Sequence, residues 1–214
     1  MLPSPEQFTA VMSQHGVEDG KRVVLYDSRG SIWAARVWWM LRAYGFDDAV
    51  VLNGGWTKWT REGRPVSSDS PAHSPARFEA RPRHGVFVDR DAVLAAVDSS
   101  QSCLLNALSE EQHRGLGPTV PGRRPGHIPT SRSMPAYDLV DPETQEFLPE
   151  PELRERLERA GALDADRVIT YCGGGIAASG VAFALRLLGH DGVAVYDASL
   201  EEWATDPALP IEVS

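Results

Sequence analysis

The chain has 214 residues and a mass of 23.4 kDa, enough for one large domain or two small ones with a substantial buried core. Its 42% apolar and 24% charged residues are typical of a folded globular protein. The net charge of −9 disfavours nucleic acid as a partner, and no apolar run approaches the roughly 20 residues of a membrane span. The opening MLPSPEQF lacks the pattern of a secretory signal, and two cysteines are too few for a disulfide framework. We therefore expect a cytoplasmic protein with free thiols.

An internal repeat organises the predicted elements. HGVEDGKRVVLYD (residues 15–27) aligns with AGALDADRVITYC (residues 160–172), and equivalent positions such as Gly16 and Gly161 are 145 residues apart. Beyond the next loop the spacing becomes 144, so one residue has been gained or lost there. Each copy predicts, in chain order, a helix, a strand, a loop, a helix, a strand and a short helix.

The second copy gives the clearest element boundaries. A helix begins near Pro151 and ends at Gly161, with Leu153, Leu157 and Ala160 on one face. The elements that follow are a strand at Arg167–Tyr171, a buried helix at Ala177–Leu188 and a strand at Val193–Tyr196. Because strands alternate with helices, we expect an α/β fold in which helices flank a parallel sheet.

The two copies differ in what precedes them. The second carries about 60 additional residues in front, with further strands expected at Gly85–Val88, at Leu104–Leu108 and around His127–Met134. The predicted division is an incomplete N-terminal unit at residues 1–62, a Pro- and Ser-rich linker at residues 63–84 and a C-terminal unit at residues 85–214. An incomplete first unit would expose a sheet edge, which favours either a homodimer or poor stability.

Cys172 is the strongest candidate for a reactive group. It ends a predicted strand and precedes Gly173, Gly174 and Gly175, whose backbone can curl so that its N–H groups point inward as an anion-binding nest. The N-terminus of the following helix adds the positive end of its dipole. Both effects favour the thiolate, which can attack a sulfur-bearing donor and hold the persulfide that results. The alternative is a structural cysteine in a tight turn.

Three other activities compete for this loop. Gly173-x-Gly175-x-x-Ala178 matches a nucleotide-binding fingerprint with Asp197 at about the expected distance, but only about forty residues follow, too few for a dinucleotide-binding fold. A cysteine phosphatase requires an Arg at the end of the loop, and no Arg occurs before the helix interior. A Cys–His hydrolase requires a nearby His, and nothing in the sequence brings a histidine (His127 or His190) to the thiol.

The equivalent position in the first copy is Asp27, which cannot carry sulfur. We expect it to stabilise its own turn by accepting hydrogen bonds from the N–H groups that follow. The long loop between the predicted strands is unusually basic for an acidic chain, since it contains Arg114, Arg123 and Arg124. These arginines are candidates for binding an anionic sulfur donor, and a solvated charged loop is the alternative.

The motifs together resemble the rhodanese family in its tandem two-domain form, the thiosulfate/3-mercaptopyruvate sulfurtransferases. They are YCGGGIAAS, VYDASLEEW, GHIP and HRG in the second unit, and VLYDSRG and VLNGGWTKW in the first. The resemblance implies a pair of rhodanese-like α/β units, here with the first truncated. It implies that residues 85–214 form the catalytic unit and that residues 1–62 are non-catalytic. It implies that Cys172 takes a sulfane sulfur from thiosulfate or 3-mercaptopyruvate and passes it to cyanide or a thiol. The loop Gly173, Gly174, Gly175, Ile176 and Ala177 would hold the persulfide, without metal or organic cofactor.

The sequence also departs from the family pattern. Asn106-Ala107-Leu108 stands where the family usually has Asp-Ala-Arg or Asp-Ser-Arg, and Gln112 replaces an Arg. The loop CGGGIA lacks the basic residues of thiosulfate-type loops and is closer to the neutral loops of mercaptopyruvate enzymes. A second hypothesis is therefore a catalytically weak rhodanese-like module that binds a sulfur-relay or signalling partner.

Overall fold

A computed structural model describes residues 2–69, 74–118 and 120–214. In chain order its elements are α1 (Pro5–Gln14), β1 (Val23–Leu25), α2 (Ile32–Ala43), β2 (Ala49–Val51), α3 (Gly55–Arg61), β3 (Phe87–Val88), α4 (Arg90–Val97), β4 (Ser102–Asn106), α5 (Glu110–His113), β5 (Arg132–Ser133), a 3-10 helix (Ala136–Leu139), α6 (Glu150–Arg159), β6 (Arg167–Tyr171), α7 (Ile176–Leu187), β7 (Val193–Tyr196) and α8 (Ser199–Trp203). None of these helices is long and apolar enough to cross a membrane.

The strands form two parallel sheets. In the first copy β1 pairs with β2 in parallel. In the second, five strands lie in the order β3-β7-β6-β4-β5, and every pairing is parallel. Parallel neighbours need crossover connections, and the helices between consecutive strands supply them. The predicted α/β architecture, with a parallel sheet flanked by helices, is confirmed.

The repeat seen in the sequence is also present in the fold. The series α1-β1-α2-β2-α3 matches α6-β6-α7-β7-α8 element by element. Helices α2 and α7 are both 12 residues long, and their first residues, Ile32 and Ile176, are equivalent in the alignment. The predicted bounds of β6 and β7 are correct, and α7 begins one residue before the predicted Ala177.

Helices α2 and α7 pack against each other in one hydrophobic core that joins the two copies. Ile32, Ala35 and Trp39 of α2 lie in the same buried cluster as most of α7. The helices approach closely at Gly180, where an added Cβ would lie 3.1 Å from Cγ2 of Ile32. Such burial, at roughly 1.5–3 kcal/mol for each large apolar side chain, fixes the position of α7 and therefore of the loop before it.

The predicted linker is partly packed. Its residues 70–73 lie outside the described residues, but residues 76–83 run along the first copy. Phe78 is buried, its N–H donates to Oγ of Ser13, and the N–H of Arg81 donates to the carbonyl of Tyr44. The division into residues 1–62, 63–84 and 85–214 stays a prediction.

The open face of the small sheet is apolar. Val24, Tyr26 and Trp56 are 54%, 58% and 41% exposed. Their equivalents in the second copy, Ile169, Tyr171 and Leu200, are buried in a cluster with α4 and β4. The three side chains of the first copy are exposed because no described residue of that copy corresponds to α4 and β4.

Candidate active site

Cys172 follows the last residue of β6 and is 3% exposed. Its N–H donates to Oγ of Ser199 at 3.1 Å, and its carbonyl accepts from the N–H of Leu200 at 3.0 Å. The end of a central strand is thereby tied to the beginning of α8. Gly175 ends the loop with φ +79°, a left-handed conformation that favours glycine.

The N–H groups of the loop are free to bind an anion. No acceptor in the described part of the chain binds the backbone N–H of Gly173, Gly174, Gly175, Ile176 or Ala177. These N–H groups stand at the N-terminus of α7, whose dipole favours negative charge at this end. The five predicted loop residues are consecutive at the N-terminus of α7, and their role as a persulfide cradle stays a prediction.

The first copy provides the direct comparison, because its loop holds an anion. Oδ1 of Asp27 accepts from the N–H groups of Arg29 and Ser31 at 2.7 and 3.0 Å. Oδ2 accepts from those of Trp33 and Ala34 at 2.9 and 2.8 Å. The expectation that Asp27 stabilises its own turn is confirmed.

The two loops share one backbone conformation at the start of the helix. Ser31 has φ +62° and its equivalent Gly175 has φ +79°, both left-handed. Trp33 and Ala34 are the equivalents of Ala177 and Ala178. Three of the four N–H groups that bind the Asp27 carboxylate therefore have counterparts in the second copy, at Gly175, Ala177 and Ala178.

Ser199 is hydrogen-bonded to the backbone of Cys172, and the sequence analysis did not identify it as a site residue. It is buried with φ +51°, and its hydroxyl donates to the carbonyl of Tyr196 at 2.7 Å while accepting from Cys172. A non-glycine residue in this conformation costs of order 1–3 kcal/mol, which these hydrogen bonds offset. The sequence did contain a signal for it, because Ser199 aligns with Gly55 of the first copy. In the structure both residues have a φ of +51°.

A buried ion pair between the two copies lies behind the loop. NH2 of Arg36, on α2, is 2.5 Å from Oδ1 of Asp197, and both side chains are almost fully buried. A Cβ on Gly175 would lie 2.8 Å from this carboxylate oxygen and 3.0 Å from NH1 of Arg36. The first copy therefore contributes a charged side chain to the packing of the cysteine loop.

A cavity of about 100 Å³ opens beside Gly173. Its described lining is mostly apolar or glycine, with two arginines: Leu108, Gln112, Gly115, Gly117, Pro118, Val120, Arg123, Arg124, Pro125, Gly126, Gly173, Leu200 and Ala204. The predicted long loop, of which Thr119 lies outside the described residues, forms most of this wall and includes the short helix α5.

The three predicted donor-binding arginines have different positions. Arg124 lines the cavity, but its guanidinium donates to three backbone carbonyls, those of Trp203, Ala204 and Asp206. Arg123 also lines the cavity, and its NH2 is 3.0 Å from Oε1 of Glu201. Arg114 does not line it: this exposed side chain donates through Nε to the carbonyl of Ser214. Substrate binding by these arginines stays a prediction, which the geometry favours most for Arg123.

Two stacked histidines lie next to the cavity wall. The rings of His113 and His127 are 3.9 Å apart, and both residues are buried. Nδ2 of Asn106 donates to Nδ1 of His113 at 3.2 Å. Burial and the neighbouring His127 lower the pKa of His113 to about 4, so this ring is neutral at neutral pH. His190 follows the far end of α7 from Cys172, and its Nε2 donates to the carbonyl of Ala165.

The rhodanese-like domain model matches residues 1–62 and 91–206. The chain belongs to the rhodanese-like domain family. The family resemblance predicted from the motifs is thus confirmed. Across the described residues, no group of three or more His, Cys, Asp or Glu side chains is arranged to hold a metal ion.

Several curated relatives are sulfurtransferases. Thiosulfate/3-mercaptopyruvate sulfurtransferase 2 of Arabidopsis thaliana is 34% identical over 233 residues, covering 99% of this chain and 68% of that protein. Thiosulfate sulfurtransferase of Bos taurus is 34% identical over 207 residues, covering 95% and 69%. 3-Mercaptopyruvate sulfurtransferase of Homo sapiens is 32% identical over 206 residues, with coverages of 95% and 69%. Identities of this extent place the chain among the rhodanese-type sulfurtransferases.

A solved structure confirms the fold. The anaerobic ergothioneine biosynthesis enzyme from Chlorobium limicola, in complex with trimethyl histidine, superimposes with a TM-score of 0.88 at 24% identity. The match covers 99% of this rhodanese-like chain and 56% of the solved one, so the present chain spans little more than half of that enzyme.

Proposed function

We propose that the protein moves a sulfane sulfur from a small anionic donor, thiosulfate or 3-mercaptopyruvate, to a thiophilic acceptor through a persulfide on Cys172. The thiolate attacks the outer sulfur of the donor, and an S–S bond forms. The bond to the rest of the donor breaks, and sulfite or the enolate of pyruvate leaves with the electron pair; the enolate then takes a proton from solvent. Cyanide or a thiolate next attacks the outer sulfur and releases the Cys172 thiolate. This cycle uses no metal or organic cofactor.

The carboxylate of Asp27 in its own loop is the observation that carries this proposal. It shows a loop of this sequence repeat binding a negative charge through four N–H groups at 2.7–3.0 Å. A cysteine persulfide is an anion that would start from the equivalent position. Preorganised N–H donors that need not rearrange stabilise developing charge well in a site that is largely closed to water.

The surroundings of the loop support a small anionic donor. Arg123 lines the cavity beside Gly173 and is partly buried, which strengthens its interaction with an anion. Arg124 adds positive charge, but its Nε and NH2 groups already donate to backbone carbonyls. Arg114 does not line the cavity, so it would contribute only positive charge at a distance.

The test is sulfur loading measured by intact mass. After incubation with thiosulfate or 3-mercaptopyruvate, we expect the protein to gain the mass of one sulfur atom, removable by cyanide. Cys172→Ser should lose this gain and reduce turnover at least about a thousandfold, because a hydroxyl is a far weaker nucleophile. Cys103→Ala is the matched control: burial raises the pKa of the Cys103 thiol, which donates to the carbonyl of Ala160. Sulfur gained by Cys172→Ser, or lost in Cys103→Ala, would contradict the assignment.

A second candidate is a sulfur carrier with weak turnover. It is favoured by a relative from Thermus thermophilus, the sulfur carrier protein TtuD, which is 32% identical over 219 residues. Asn106 and Leu108 also replace the Asp and Arg of the family tripeptide. This candidate predicts a persulfide on Cys172 that small acceptors remove slowly and a partner protein removes quickly, or partner capture with negligible turnover.

The proposal also assigns domain roles, a cellular location and an oligomeric state. We place catalysis in residues 85–214, with residues 1–62 as a non-catalytic partner unit and residues 63–84 between them. A cytoplasmic location is supported by two free, buried cysteines. A homodimer is supported by the exposed Val24, Tyr26 and Trp56, and sedimentation of the purified protein would measure it.

A further inference from the structure

Glu201 places a negative charge beside the cysteine loop. Its backbone N–H donates to the carbonyl of Gly173 at 2.9 Å, so the residue is fixed against the cysteine loop. Its Oε2 lies 3.2 Å from the position that a Cβ on Gly174 would occupy. The carboxylate therefore lies directly beside the N–H groups that would receive an anion.

The same carboxylate pairs with Arg123. Oε1 of Glu201 is 3.0 Å from NH2 of this arginine, which lines the cavity beside Gly173. Arg124, the other arginine of the lining, donates to backbone carbonyls. Glu201 thus offsets the one guanidinium in the described lining that is not already engaged by the backbone.

The first copy differs at this position. The equivalent of Glu201 is Thr57, which carries no charge, and the loop beside it holds the carboxylate of Asp27. The copy that permanently binds an anion therefore has a neutral residue where the cysteine-containing copy has an acid. An anion that enters the loop of the second copy would therefore be repelled by Glu201, whereas Thr57 exerts no such repulsion in the first copy.

We infer that Glu201 is a specificity-determining residue that disfavours doubly charged sulfur donors relative to singly charged ones. This inference rests on the proposed sulfur transfer and names the donor class that the site selects. Thiosulfate carries two negative charges. At pH 7 3-mercaptopyruvate carries mainly one, since an ordinary thiol has a pKa of about 8.5. Glu201 therefore shifts the preference of the site toward a singly charged donor such as 3-mercaptopyruvate and away from thiosulfate.

The electrostatic origin fixes how the effect scales. A Coulomb energy is proportional to the charge of the ligand, so removing one fixed charge changes the logarithm of kcat/KM twice as much for a dianion as for a monoanion. Glu201 is largely exposed, which limits the size of the effect. For Glu201→Gln we expect kcat/KM to rise about fivefold with 3-mercaptopyruvate and about 25-fold with thiosulfate at low ionic strength.

The control removes an equivalent ion pair elsewhere. Glu155 on α6 pairs with Arg159 at 3.4 Å, and both side chains are exposed. Glu155→Gln changes the net charge by the same amount and breaks a Glu–Arg pair outside the cavity lining. It should leave the ratio of kcat/KM for the two donors within about twofold of its original value.

A second readout does not require sulfur transfer. Iodoacetate carries one negative charge and iodoacetamide none, and each alkylates a cysteine thiolate with loss of iodide. With the intact chain at pH 7, we expect Glu201→Gln to raise the iodoacetate-to-iodoacetamide ratio of the Cys172 alkylation rates about fivefold. High salt should reduce this rise.

The outcomes separate the two proposals. If neither donor supports turnover but the alkylation ratio rises in Glu201→Gln alone, the electrostatic role of Glu201 stands and the proposed sulfur transfer fails. If both donors turn over but Glu201→Gln changes their kcat/KM equally, or no more than Glu155→Gln does, the selectivity role is overturned. An unchanged alkylation ratio in Glu201→Gln would overturn it independently of turnover.

Discussion

Replacing Asp27 by Asn measures how strongly a loop of this repeat binds an anion. The carboxylate accepts hydrogen bonds from four backbone N–H groups, two on each oxygen. An Asn retains one oxygen that can accept from two of them. Its NH2 group would face the N–H groups of Trp33 and Ala34, which would then lack an acceptor. Hydrogen bonds to a charged group contribute roughly 1.5–3 kcal/mol each, and the partial exposure and shared geometry of these four make them less than additive.

We therefore expect Asp27→Asn to lower the free energy of unfolding by about 3 kcal/mol, which corresponds to a Tm lower by about 6–12 °C for a chain of this size. Urea unfolding followed by tryptophan fluorescence is suited to the measurement, because five of the six tryptophans lie in residues 33–59. Asp48→Asn is the control, because Asp48 forms an exposed ion pair with Arg22 at 2.7 Å. Its replacement should lower the free energy of unfolding by about 0.5 kcal/mol or less. If Asp27→Asn is as stable as Asp48→Asn, the loop is not a strong anion site, and the argument for a persulfide cradle loses its support.

Two further predictions concern the loop and the cavity wall. Gly175→Ala should destabilise the fold by about 2–3 kcal/mol, because φ is +79° and the new Cβ would lie 2.8 Å from two oxygens of Asp197. Gly173→Ala, whose Cβ meets nothing within 4 Å, should cost under about 1 kcal/mol, and equal losses in urea titrations would contradict this account. The pKa of His113 is lowered from 6.5 to about 4, so the unfolded chain binds the extra proton first as the pH falls. The stabilisation that depends on the neutral ring is therefore fully present above pH 6.5 and is lost below it, by about 2 kcal/mol at pH 5. His113→Phe should remove this pH dependence when the free energy of unfolding is measured above pH 6.5 and at pH 5.

The sequence predicted the elements whose patterns are local. The bounds of β6 and β7 followed from short apolar β-rich runs, and the loop after Cys172 followed from three consecutive glycines before an apolar helix. The strands β3 and β5 are two residues long, too short to show a pattern, and only their regions could be predicted. The repeat was the strongest signal, because it matched each element of one copy with an element of the other.

The sequence could not distinguish the arginines of the long loop. Arg123 and Arg124 are adjacent, but the carbonyls that engage Arg124 lie about 80 positions away, as does the carboxylate that pairs with Arg123. The stacking of His113 on His127 likewise depends on how the loop folds back. Such contacts depend on tertiary structure, so the sequence supplied candidates for the site but not their individual partners.

The carboxylate in the first loop has a consequence for stoichiometry. Because Asp27 fills that loop from within the chain, a chain with the proposed chemistry can load one sulfur atom and not two. Titration with a donor should therefore saturate at one equivalent, with no second binding phase and no cooperativity between halves of the chain. A duplicated scaffold then behaves in kinetics as a single-site enzyme, and the first copy acts only through the side chains, such as Arg36, that it packs against the second.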